Sequence, residues 1–200
     1  MTDDVDVATD DSFPLGPKLG VDVGQVRVGL AGSDRDGLLA TPIRTLKRDA
    51  RKNSDIRWVV REAAERNAVQ IIVGLPKRMN GGEGASAEMA RSYAALLVSE
   101  LHRQSLTLSV RLVDERLSTV SAHRSLHSAG LSSREHRMVV DQVAAVEILQ
   151  HAIDTQRARG RDVGEPVRPP AADASPNARP SPIEEQVINE RPTSSRDQES

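Results

Sequence analysis

Residues 18–31 read KLGVDVGQVRVGLA, in which Leu19, Val21 and Val23 alternate with Gly20, Asp22 and Gly24, and Val26, Val28 and Leu30 then alternate with Arg27, Gly29 and Ala31. Apolar side chains at every second position describe a strand with one buried face. Two such runs separated by a short break around Gly24 and Gln25 describe a hairpin. A further β-like stretch from Leu38 to Leu46, interrupted by Pro42, extends the pair to a three-stranded antiparallel meander.

The pattern then changes period. Ile56, Val59, Val60, Ala63 and Ala64 follow the i, i+3, i+4, i+7, i+8 spacing of a helix with one buried face. Val69–Leu75, VQIIVGL, is apolar almost throughout and predicts an interior strand covered on both sides. A helix from about Ala85 to Gln104, a strand from Leu106 to Val113, short helices from Ser118 and a long helix from about Glu135 to Arg157 complete the order βββαβαβα. That order predicts an α/β domain built on a mixed sheet.

The ends differ from this core. Positions 1–16 hold five acids and no Lys or Arg, and from about Gly160 onward Pro, Ser, Arg and Glu dominate. Segments so poor in apolar side chains cannot offset their ordering entropy. We therefore expect a disordered acidic segment over 1–16, one domain over 17–157 and a disordered Pro/Ser/Arg/Glu-rich tail over 158–200, with no internal repeat. Two hundred residues suit a single core of this kind.

Composition excludes several function classes. There is no cysteine, so disulfide frameworks, thiolate zinc sites and thiol catalysis are ruled out. The acidic start is unlike a secretory leader, and no apolar run approaches the ~20 residues of a membrane span, so a cytoplasmic protein with no membrane partner is expected. The net charge of −2 conceals a contrast, because positions 17–157 carry 21 basic and 16 acidic residues. A core at +5 attracts polyanions, although a solvated basic surface explains it equally well. With Phe13, Trp58 and Tyr93 as the sole aromatics, base stacking is a poor binding mode, and phosphate contacts are expected instead.

Candidate chemistry rests on acids in apolar surroundings. Asp22 lies within a strand between Gly20 and Gly24, so a partner can approach its carboxylate closely; alternatively it accepts turn N–H groups. Asp114, Glu115 and Arg116 end the strand SVRLV, and alternation puts Glu115 on the face of Val113 and Asp114 on the other. Those acids also suit the first turn of the helix expected from Ser118. Asp141 lies within about 80° of Ala145, Ile148, Leu149 and Ala152 around its helix, so it points inward. A buried carboxylate is protonated, bound to a cation or paired, with Arg27 and Arg116 as available partners.

Three such acids form an oxygen-rich set of the kind that Mg²⁺ or Mn²⁺ prefers. With two ions about 4 Å apart, one activating water and one stabilising the leaving oxygen, no protein nucleophile is required for phosphoryl transfer. Gly74–Gly84, GLPKRMNGGEG, joins Lys77 and Arg78 to Asn80, Gly81 and further glycines whose N–H groups can face phosphate, without P-loop spacing. As an ordinary surface connection the same loop has no such role. His123 and His127 are spaced i, i+4 but lack an acidic third ligand, and solvated helix surface accounts for them better.

LGVDVGQVRVGLAGSD, GLPKRMNGGEG, LVDERLSTVSAHRSL and VVDQVAAVEILQ, in this order between Lys18 and Gln150, resemble the four blocks of the YqgF/RuvX family, ribonuclease-H-like nucleases related to Holliday junction resolvases. The resemblance implies a five-stranded mixed sheet, the meander plus parallel strands, flanked by helices. It implies Asp22, Glu115 and Asp141 as catalytic metal-binding acids, with Arg27, Arg116 and Thr119 in support. Asp114 and Ser118 join them as supporting candidates, and Arg124 and Arg137 join the loop residues as candidate phosphate contacts. Asn80 stands where Asp is usual, Ser118 where Thr is usual, and His136 with Arg137 where Lys is common, none being a proposed metal ligand.

The implied activity is metal-dependent phosphodiester hydrolysis, in maturation of the 5′ end of pre-16S rRNA or on four-way DNA junctions. The implied partners are structured RNA (pre-rRNA in a pre-ribosomal particle) or branched DNA, bound by a monomer or homodimer. Two other classes stay open. Nucleotide-binding proteins of the actin and sugar-kinase type begin with a similar hairpin but need two such domains, and a non-catalytic RNA or transcription-factor partner would retain the fold without turnover.

Overall fold

The computed structural model describes residues 12–115 and 134–168, with side chains described for all of these but 134–140. β1 (Lys18–Val23) and β2 (Arg27–Ser33) form the expected hairpin, closed where the Gly24 N–H donates to the Arg27 carbonyl at 2.8 Å. Leu19 faces Gly32, Asp22 faces Gly29, and Val23 faces Val28. β3 (Ala40–Lys47) pairs with β2 and continues through Pro42, where the sequence pattern suggested a break. Leu30 pairs with Arg44 and Ala31 with Pro42, so an irregularity at Ile43 absorbs one residue. As the outer strand, β3 tolerates the N–H that proline lacks.

α1 (Ser54–Glu65) buries Ile56, Val59, Val60 and Ala63, whereas Ala64 is exposed and Asp55 is buried in its place. β4 (Gln70–Leu75) is buried at every position because it lies between β1 and β5 (Ser109–Asp114), parallel to both. α2 (Ala85–Arg103) buries Ala87, Ala90, Tyr93, Ala94, Leu97, Val98 and Leu101. α3 (Arg134–Arg159) is followed by β6 (Glu165–Pro166), antiparallel to β5.

The sheet runs β3-β2-β1-β4-β5-β6, a ribonuclease-H-like order with an antiparallel first half. Strand alternation divides its side chains between two cores. Leu19, Val21, Ile71, Val73, Val110 and Leu112 pack with α1 and α2, while Ala31, Ile72 and Val113 pack with Ala145, Ile148, Leu149 and Ala152 of α3. Each buried Val, Leu or Ile contributes roughly 1.5–3 kcal/mol, which makes the two layers the main source of stability.

The strand number corrects the expected five to six, and the extra strand lies in the segment assigned from composition to the tail. Gly160, at φ +63°, ends α3 in the left-handed conformation, and Gly164, at φ +78°, turns the chain back along β5 with Val163 buried between them. Among the described residues, no helix is long and apolar enough to cross a membrane.

Candidate metal-dependent active site

Parallel strands β1, β4 and β5 all end at one edge of the sheet, where β2 begins and β3 ends. Asp22 lies near this edge, buried, and turned to the α3 side because Val21 and Val23 face the other core. Its neighbours across the sheet have no side chains. Gly29 faces it from β2, and Gly74 follows Val73, the partner of Val21, on β4.

Those glycines carry the other two acids. A Cβ at Gly29 would stand 2.1 Å from the Asp141 carbonyl oxygen and 3.4 Å from the Asp141 Cβ. One at Gly74 would stand 2.4 Å from Glu115 Oε1 and 2.6 Å from Ile148 Cδ1. Asp141 and Glu115 therefore sit over the positions on either side of Asp22, contacts that any larger residue at 29 or 74 would block. Gly20, expected to leave Asp22 open to a ligand, instead seats α3, since a Cβ there would stand 2.7 Å from both the Ala145 carbonyl oxygen and the Leu149 Cβ.

The Arg27 partner foreseen for Asp141 is present, with Arg27 Nε 2.5 Å from Asp141 Oδ2 and side-chain exposures of 30% and 23%. Among the described residues, no three His, Cys, Asp or Glu stand as a ready-made metal-binding group. Asp22 lies within the row and Asp141 and Glu115 over its two ends, with one Asp141 oxygen turned to Arg27. The donor set nevertheless fits a hard divalent cation, being carboxylate oxygen throughout. Glu115 shares the α3 side with Val113, whereas Asp114 follows Leu112 to the other side, away from Asp22.

The Gly74–Gly84 loop leaves β4 at the same edge. Lys77 bridges Glu83 in antiparallel fashion, and Lys77 Nζ lies 3.9 Å from Glu83 Oε1. Gly81, at φ +84°, donates its N–H to the Arg78 carbonyl at 2.8 Å, and the Gly82 N–H goes to Asn80 Oδ1 at 3.0 Å. These two N–H groups close the turn, and Lys77 and Arg78 are the loop's cations. Arg116, Ser118, Thr119 and Arg124, with His123 and His127, lie outside the described residues. Arg137 lies in the first turns of α3, outside the described side chains.

Three polar clusters had no sequence signal. Arg48 Nη1 donates to Asp55 Oδ1 at 2.9 Å and Oδ2 at 3.1 Å while its guanidinium lies 5.0 Å from the centroid of Tyr93, whose phenol is pushed up by burial. Arg91 ties the Glu83 carboxylate of the loop to Glu165 of β6, each at 2.7 Å, and holds both below the usual glutamate range. At the opposite edge Asp162 receives Gln156 Nε2 at 2.7 Å and Gln70 Nε2 at 3.1 Å, with Arg111 Nε 2.5 Å away. Nearby, burial pulls the Lys18 ammonium below its ordinary range against the charge of Asp162. All three join residues remote in sequence, so no local pattern announces them.

A sheet of this order, with acids from its first strand, the end of its fifth and its last helix at one edge, defines a ribonuclease-H-like protein. The family model described as "RuvX: Holliday junction resolvase" matches residues 16–155, and the chain belongs to that family. A relative from Frankia casuarinae is 49% identical over 140 residues, covering 70% of this chain and 67% of its own. Another from Kineococcus radiotolerans is 49% identical over 154 residues, covering 76% and 80%. Both bear the name "Putative pre-16S rRNA nuclease". RuvC from Thermus thermophilus, solved in complex with a Holliday junction substrate, aligns at TM-score 0.47 and 12% identity over 76% of this chain and 99% of its own; no residue is carried across from it.

Proposed function

We propose that this chain is a cytoplasmic nuclease that matures the 5′ end of pre-16S rRNA, hydrolysing a phosphodiester with Mg²⁺ or Mn²⁺ held by Asp22, Glu115 and Asp141. The observation that carries the reading is the row Gly29, Asp22, Gly74, with Asp141 over one end and Glu115 over the other. An all-carboxylate donor set is what a hard divalent cation prefers, and Arg27 holds one oxygen of Asp141 in place beside it.

Bound there, such ions, as a pair in the two-metal arrangement, supply Lewis-acid stabilisation of phosphoryl oxygens and a lowered pKa for the attacking water. The chain's own residues do the rest. Asp22 is fixed by the central strand, Arg27 orients the Asp141 carboxylate, and α3 shields the site from bulk water on its sheet side. Lys77 and Arg78 place positive charge where a phosphate backbone enters. The acids serve as ligands, so no side chain need act as the nucleophile.

The substrate follows from the names of the relatives, and the description of the matched family favours a second one, the four-way DNA junction. Purified protein is incubated with pre-16S rRNA and with a four-way DNA junction in Mg²⁺, Mn²⁺ or EDTA. Cleavage of the RNA at its 5′ flank, supported by either ion and lost in EDTA, is the expected result. Asp22→Asn, Glu115→Gln and Asp141→Asn should each reduce it by two orders of magnitude or more with the circular dichroism unchanged. Wild-type rates in all three variants would remove the metal-site reading, and cleavage of the junction alone would move the substrate to DNA.

A further inference from the structure

The described loops at the two ends of the sheet differ in charge. Segments 24–27, 47–53 and 76–84, gathered at the end that holds Asp22, carry seven Lys and Arg against two acids. Segments 34–39, 66–69, 104–108 and 160–164, at the other end, carry three Arg and three Asp. These loops thus set positive charge around the carboxylates of the candidate active site, where the field they create can act on a polyanion.

Its densest part is Lys47-Arg48-Asp49-Ala50-Arg51-Lys52, the connection from β3 to α1. Two acids hold this loop in shape. Asp55, 3% exposed, binds Arg48 and accepts the Asp49 N–H at 3.3 Å. Asp49 accepts the Lys52 N–H at 3.0 Å and the Ser54 hydroxyl at 2.6 Å. The Arg48 N–H donates to the Val26 carbonyl at 2.9 Å, which ties the loop to the β1–β2 turn next to Arg27. Both acids are engaged by the loop itself. Lys47, Arg51 and Lys52 remain exposed and enter none of the ion pairs among the described residues.

We propose that this loop is a second phosphate-backbone clamp, in which Arg51 and Lys52, with Lys47 behind them, grip structured nucleic acid on the β3 side of the catalytic edge. Lys77 and Arg78 hold it on the β4 side, so the strand carrying Asp22 lies between two cationic flanks. A loop already fixed by Asp49 and Asp55 loses little conformational freedom on binding, which favours it over a mobile basic tail of equal charge. The assignment rests on the nuclease reading and extends it to residues remote in sequence from the acids.

Phosphate contacts are read by the salt dependence of binding, because each releases counterions and adds about 0.9 to the slope of log K against log salt on duplex DNA and about 0.7 on single strands. Binding of the full chain to a structured RNA duplex and to a four-way DNA junction is measured in EDTA across a salt series. The proteins compared are wild type, Arg51→Ala/Lys52→Ala and Arg35→Ala/Arg161→Ala, the last removing equal charge from the opposite end. The expected result is a slope shallower by roughly 1.5–2 for the first pair and unchanged for the second. A wild-type slope in Arg51→Ala/Lys52→Ala overturns the clamp while leaving the nuclease reading standing, and an equal change in both pairs overturns it in favour of a diffuse field. Absence of any wild-type binding to either substrate removes both proposals.

Discussion

At position 29 an alanine methyl would meet the Asp141 carbonyl oxygen at 2.1 Å, so α3 and β2 could not keep their present separation. Gly29→Ala is expected to cost about 1–3 kcal/mol of stability, the range for overpacking a closed interior. It should also lower metal-supported cleavage by roughly a hundredfold, because a displacement near 1 Å is enough to misalign a reacting group. Urea unfolding together with single-turnover cleavage checks this, and wild-type cleavage in the variant would show that Gly29 does not set the position of Asp141. Asp22 was legible as an anomaly, a charge in an alternating strand, and Asp141 as an acid within an apolar stripe. Gly29 and Gly74 were not, since a glycine in a strand does not reveal which remote side chain lies above it.

Among the elements, α3 and the segment after it join the two ends of the sheet. The first turns of α3 lead to Asp141, and past its last turn Asp162 meets Arg111 on β5 and Gln70 on β4. Asp162 is 7% exposed at its side chain, so Asp162→Ala leaves Arg111 without its counter-charge and should destabilise the fold by about 3 kcal/mol. Glu165→Gln, which weakens an exposed pair with Arg91, should change stability by less than about 1 kcal/mol. Urea midpoints with an unchanged m-value measure both, and equal midpoints would show that the pair at Asp162 carries no special weight. The regular strands and helices were readable because their periods repeat over six or more residues. β6 was not, since two residues between Gly164 and Val167 contain no period and lie in Pro-rich surroundings.

For the whole molecule, a divalent cation that binds only the native state raises stability by RT ln(1 + [L]/Kd), about 2.7 kcal/mol at a hundredfold excess over Kd. Mg²⁺ or Mn²⁺ should therefore raise the melting temperature of the wild-type chain by several degrees and have little effect on Asp22→Asn. Equal shifts in the two proteins would mean that the ion binds elsewhere. The same scale separates what could be read in one dimension from what could not. The alternation at residues 18–31, the apolar run at 69–75 and the helical stripes determined the number of layers and the buried faces, because hydrophobic period and chain direction are local properties. That Gly29 and Gly74 would seat Asp141 and Glu115 on either side of Asp22, and that the Lys47–Lys52 loop would be tied to the β1–β2 turn, were decided by strand order. Parallel and antiparallel pairing bring to one edge residues separated by up to a hundred positions, and that pairing is settled by how the two cores close on the sheet.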